Sequence, residues 1–158
     1  GKLILFNNKL NEQRIIADNV NNSYYSYSPY SDKFYFSNDN KIYEFNLKTG
    51  NIEYIVEGYD PVISRKGNIL AYVNWDTVLS KNYLNIRDIN TNEIWKTKIV
   101  YPHAFVISPD ENYILMTKEY DGFKFIFFSK ETIIYDYKNK KEMTIIDHGS
   151  YDFVLDWI

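Results

Sequence analysis

Four short turn segments recur along this 158-residue chain, and their spacing constrains the fold more than any other feature. Each begins with Asn or Asp, continues through an aliphatic, aromatic or amide residue into a polar turn, and is trailed by another apolar run. The copies are Asn7-Asn8-Lys9, Asn46-Leu47-Lys48-Thr49-Gly50, Asp88-Ile89-Asn90-Thr91-Asn92 and Asp136-Tyr137-Lys138-Asn139-Lys140. Successive copies start 39, 42 and 48 residues apart, within the period of about 40 to 50 residues that one four-stranded sheet unit occupies in repeat proteins. Such a unit cannot bury both faces alone, so neighbouring units must stack. The stacking decides which loops share a surface.

The composition agrees with strands. Aromatic residues make up 18% of the chain, with 16 Tyr and 10 Phe, residues that suit a pleated, half-buried surface. Alanine occurs only at Ala17, Ala71 and Ala104, and no segment carries the Leu, Glu, Ala or Gln spacing of an amphipathic helix. The length fits one domain that buries roughly 70% of its unfolded surface. With no cysteine, thiolate metal sites, disulfides and Cys nucleophiles are excluded. A net charge of -3 gives no basic footprint for nucleic acid. Apolar stretches such as 2–6 and 125–128 are too short for a transmembrane helix, and no signal-peptide pattern opens the chain. The expectation is therefore no nucleic acid and no membrane. The compartment expected is the cytoplasm for a complete chain, and the periplasm or exterior for a cut domain.

Read in order, the chain divides into a partial unit over 2–18, full four-stranded units over 23–57, 59–100 and 103–146, and a closing strand over 151–157, all within one domain spanning 1–158. Tight turns at Lys48-Thr49-Gly50, Arg65-Lys66-Gly67 and Pro109-Asp110-Glu111 separate the strands. Tyr59-Asp60-Pro61-Val62-Ile63-Ser64 matches Tyr151-Asp152-Phe153-Val154-Leu155-Asp156 at one offset, so the two ends are expected to share a blade. The fold class expected is all-β: propeller-like four-stranded antiparallel meanders in a small ring of about four blades, closed by the termini.

The stretch His103-Ala104-Phe105-Val106-Ile107-Ser108-Pro109-Asp110-Glu111-Asn112-Tyr113-Ile114-Leu115 resembles the F-S-P-D-G-K-x-I-A-F repeat of TolB-type and WD40-like propellers, and Pro61 to Tyr72 is a looser copy. The resemblance implies the fold and no common function. The sequence departs from it at Glu111 and Lys66, near the position of the turn glycine, and lacks the Trp-Asp strand ending of WD40 repeats. The dipeptide Trp75-Asp76 is expected in a loop.

Propeller geometry sends the loops between strands 4 and 1, and between 2 and 3, to one face. That face collects the candidate partner-binding residues Tyr59, Asp60, Trp75, Asp76, Tyr101, His103, Glu119, Tyr120, Asp121, Tyr151 and Asp152, together with Asp18, Glu57, Asp147 and His148, and is acidic and aromatic. The opposite face collects Lys33, Lys48, Arg65, Lys66, Lys138, Lys140 and Lys141, offset by Asp32, Glu93, Asp110 and Glu111. Two segments, 74–82 and 119–130, are read as long loops. Aromatic anchors flanked by carboxylates suit a basic protein partner. The function expected is a non-enzymatic protein-binding module with no cofactor and no metal, with a bacterial nuclease toxin as one candidate partner and an immunity protein as the matching role. The alternative is a propeller segment of a larger secreted or periplasmic receptor or hydrolase that binds a peptide or sugar. Only His103 and His148 are available for Ser-His-Asp chemistry or for metal binding with Asp60 or Asp152, and neither lies in a recognised motif.

Overall fold

The computed structural model describes residues 1–7, 11–18, 20, 24–119 and 130–149. A two-stranded hairpin, β1 (Lys2–Asn7) and β2 (Glu12–Asp18), precedes three antiparallel meanders. Blade 1 comprises β3 (Tyr25–Ser28), β4 (Lys33–Asn38), β5 (Lys41–Asn46) and β6 (Ile52–Glu57). Blade 2 comprises β7 (Tyr59–Ile63), β8 (Ile69–Asp76), β9 (Lys81–Asp88) and β10 (Ile94–Val100). Blade 3 comprises β11 (Pro102–Ile107), β12 (Tyr113–Glu119), β13 (Lys130–Asp136) and β14 (Lys141–Gly149). The strands pair in sequence order in every blade, the meander of a propeller. The expected closing strand over 151–157, and the run Phe123 to Phe128, lie outside the described residues.

The recurring Asn or Asp now has a physical role. Asn46 Oδ1 accepts the Lys48 and Thr49 backbone N–H groups, Asp88 Oδ1 accepts those of Asn90 and Thr91, and Asp136 Oδ1 accepts that of Asn139. Each is an Asx turn between the third and fourth strands. Each of these segments ends on a left-handed residue: Gly50 at φ 76°, Asn92 at φ 64° and Lys140 at φ 55°. In blades 2 and 3 the first strand is followed by a serine that ties the next turn. Ser64 Oγ accepts the Asn68 and Ile69 N–H groups, and Ser108 Oγ accepts that of Tyr113.

Strand alternation builds the core between blades. In β8, Ile69, Ala71 and Val73 face blade 3 and pack with Phe105, Ile114 and Met116, whereas Leu70 and Tyr72 face blade 1 and pack with Tyr35 and Ile42. Both faces are buried, which explains a continuous apolar run in place of alternation. Burying each Leu or Ile is worth about 1.5–3 kcal/mol. The hairpin places Leu3, Leu5 and Ile16 against Phe36 and Phe45 of blade 1, and Arg14 lies over the Phe45 ring.

One expected loop is a correction. Residues 74–82 form no long loop, because β8 and β9 pair through Asn74↔Tyr83, Trp75↔Asn82 and Asp76↔Lys81 and leave only residues 77–80 as the turn. Asp76 Oδ1 accepts the Val78 and Leu79 N–H groups, and Ser80 takes the left-handed φ of 51°. A single aspartate thus closes in four residues what composition suggested was irregular. Trp75 and Asp76 accordingly end a strand, not a loop.

Candidate functional site

The inner strands β7 and β11 begin irregularly, and both irregularities fall at the same end of the blades. Pairing shifts register between Tyr59 and Val62 in blade 2 and between Pro102 and Phe105 in blade 3. Asp60 and Tyr101 adopt φ values of 51° and 49°, a conformation costly for a side chain as bulky as tyrosine and concentrated at functional sites. Backbone latches hold these connections: Gly58 N–H donates to the Asn40 carbonyl and Tyr101 N–H to the Asn82 carbonyl. Gly58, at φ 147°, has no room for a side chain, since a Cβ would lie 2.6 Å from Tyr72 Cδ2.

Asp60 and His103 interact electrostatically across blades 2 and 3 at this rim. Burial raises the Asp60 carboxyl to about 6, and His103 offsets part of the rise. Asp60 Oδ1 is buried with no hydrogen-bond partner among the described residues, and Asn82 Oδ1 is in the same condition. Tyr59 is pushed above the ordinary tyrosine range by burial, with Asp60 and Tyr24 adding to the effect and an Asn82 bond opposing it. The rim therefore holds a partly buried acid framed by phenols. Sequence reasoning found Tyr59, Asp60, Tyr101 and His103 but missed Tyr24 and Asn82. The matching Tyr at the start of each blade was the available signal.

Trp75 and Asp76 sit apart from that cluster, beside a groove of 590 Å³ between blades 1 and 2. Tyr54 and Trp75 flank it, and Tyr72, Tyr83 and Asn85 line it. Asp76 donates no net charge to the face, because Lys96 Nζ lies 2.5 Å from its carboxylate. The Lys96 bond and the turn N–H groups of Leu79 and Val78 hold the Asp76 carboxyl below its ordinary value. A second hollow of 250 Å³ continues past Trp75 toward Gly58 and Tyr59. Tyr54, Tyr72 and Asn85 were not anticipated, although Asn85 interrupts an inward-facing strand position, which is itself a signal. Glu119 ends β12, and Tyr120, Asp121, Tyr151 and Asp152 lie outside the described residues. Among the described residues, no three His, Asp or Glu side chains converge as a metal site.

The opposite face is closed by bonds between blades. Glu111 takes the left-handed position, φ 61°, that Gly67 holds in blade 2 at φ 86°. Its carboxylate accepts the Ser64 hydroxyl at 2.5 Å and the Asn68 amide at 3.0 Å, which accounts for the departure from glycine. Lys48 pairs with Asp32, and Lys33 with Glu44, so much of the basic excess is neutralised.

No protein-family model and no curated protein matches the sequence. The fold does match solved structures. TolB from Acinetobacter baumannii superposes with a TM-score of 0.75 at 16% identity, over 96% of this chain and 39% of that one. Oligogalacturonate lyase from Vibrio parahaemolyticus gives 0.67 at 16% identity, over 98% and 45%. The β-propeller domain of the Trilobed protease from Pyrococcus furiosus gives 0.60 at 17%, over 77% and 42%. The chain thus has a TolB-like propeller fold and spans less than half the length of these three proteins. At such identities the likeness concerns architecture alone.

Proposed function

We propose that this chain is a non-catalytic binding module whose rim, centred on Asp60, takes a basic segment of a protein partner. The carrying observation is the buried Asp60 Oδ1, which has no hydrogen-bond partner among the described residues. A buried carboxylate oxygen without a donor is unfavourable in the free protein, and an incoming Arg or Lys supplies both the donor and further positive charge. Tyr59 and Tyr24 add flat apolar area beside it. The narrower reading, an immunity protein against a basic nuclease toxin, draws on the acidic sequence profile alone, and none of the comparisons supports it. A second reading, a propeller segment of a larger receptor or hydrolase, is favoured by the partial coverage of the matched structures.

The test is titration with a tetra-arginine peptide at about pH 7.5, repeated at about pH 5. Binding should weaken at the lower pH as Asp60 takes up a proton near 6, and Asp60→Asn should lower affinity at least about tenfold. Equal affinity of both proteins at both pH values would remove Asp60 from the site.

A further inference from the structure

The groove between blades 1 and 2 carries hydrogen-bonding side chains on its floor. Asn85 is 5% exposed and Tyr72 1% exposed, and both line the groove. Among the described residues, neither the Asn85 amide nor the Tyr72 hydroxyl is a fully enclosed unpaired group, and both side chains face the hollow. Arg87, two residues along the same face of β9, turns away from the groove, its terminal nitrogens donating to the Ile55 carbonyl and to Asn92 Oδ1. Polar groups that face a hollow, and not an enclosed core, can bond to a ligand that enters it. The walls differ in kind. Trp75 is 48% exposed and Tyr54 55% exposed, large flat rings left beside a floor of hydrogen-bonding groups.

We infer that this groove binds an uncharged saccharide, with Trp75 and Tyr54 against the sugar's C–H faces and Asn85 and Tyr72 bonded to its hydroxyls. Charge decides against other occupants. The Asp76–Lys96 pair cancels within the site, and Glu57 at the rim disfavours an anion. A cationic side chain finds the Tyr83 ring already faced by the Lys96 ammonium at 4.2 Å. An amide that both donates and accepts, beside a phenol that burial keeps neutral, matches the mixed donor and acceptor character of a sugar hydroxyl. The volume of 590 Å³ falls within the ~300–1,000 Å³ of small-molecule sites. The adjoining hollow past Trp75 gives room for more than one ring. This site adjoins the Asp60 rim at Tyr59, which lines the second hollow, but it does not use the Asp60 carboxylate.

Isothermal titration of the whole 158-residue chain with cellotriose, maltotriose and triacetylchitotriose tests the assignment, with trigalacturonate and tetra-arginine as charged controls. At least one neutral trisaccharide should bind with a Kd of about 1 mM or tighter. Trp75→Ala should weaken it by about tenfold, and Tyr72→Phe, which removes one hydroxyl and keeps the ring, by at least about fivefold. Asp60→Asn should leave it unchanged. The inference is overturned if none of the three binds at about 10 mM, if binding survives both groove substitutions, or if tetra-arginine is the probe whose binding Trp75→Ala abolishes.

Discussion

The two ends of the blades are made from the same strands, but they treat polar groups in opposite ways. At the end that carries the Asx and serine turns, nearly every polar side chain is tied: Ser64, Asn68 and Glu111 bond across blades, and Ser108, Asp110 and Asn112 bond within one. Among the described residues Ser31 Oγ and Arg87 Nε are the exceptions there, and Ser31 Oγ lies where a Cβ on Gly67 would press at 2.8 Å. At the other end, Asp60 Oδ1 and Asn82 Oδ1 lack partners among the described residues, residues 60 and 101 are held left-handed, and Trp75 stands half exposed. Bonds that close a repeat can be made within the chain. Groups left open at the opposite end can take partners from elsewhere, and the proposed binding site lies there.

The largest break in this contrast should come from the tied end. Glu44 is 8% exposed and accepts from Lys33 and from the Tyr35 hydroxyl, so Lys33→Met strands a buried carboxylate. Urea unfolding should show a loss of about 3 kcal/mol. Glu111→Ala, which unties Ser64 and Asn68 between blades 2 and 3, should cost about 2 kcal/mol by the same method. Asp60→Asn should act in the other direction. Its raised carboxyl favours the protonated fold, so the associated stability is full below the ordinary 3.8 and lost as pH rises through about 6. Removing the charge should therefore raise stability at pH 7 by about 1 kcal/mol after allowance for solvent screening, and by nothing near pH 4. Thermal melts at the two pH values check the sign. Trp75→Ala should change stability by less than about 0.5 kcal/mol, since the ring is half exposed. A large loss there would make Trp75 structural and sharpen the contrast against us.

The meanders were legible because their punctuation is local chemistry. Asn46, Asp88 and Asp136 bond to their own turns, and such a signal survives in a single sequence. Glu111 also stood out as a departure, although its partners at Ser64 and Asn68 belong to another blade and were not readable. The segment 74–82 misled because Asn, Asp and Ser favour loops on average, whereas Asp76 caps a four-residue turn while Asn74 and Asn82 remain paired in strands. Of the rim, Tyr59 and Asp60 were assigned to this face by sorting the loops of a propeller. The pairing of Asp60 with His103 needed the stacking of blades 2 and 3. The groove escaped notice because its floor comes from β8 and β9 and one wall from β6, so no stretch of sequence contains it.

The claim that the open end is built for a partner rests most directly on the state of Asp60. Carboxyl ¹³C NMR of the labelled chain, titrated from about pH 3 to about pH 8 with and without tetra-arginine, measures that state. The account predicts a midpoint of about 6 in the free protein, moving toward the ordinary carboxylate range when the peptide is bound. A midpoint at 3.8 that the peptide leaves unmoved would contradict it.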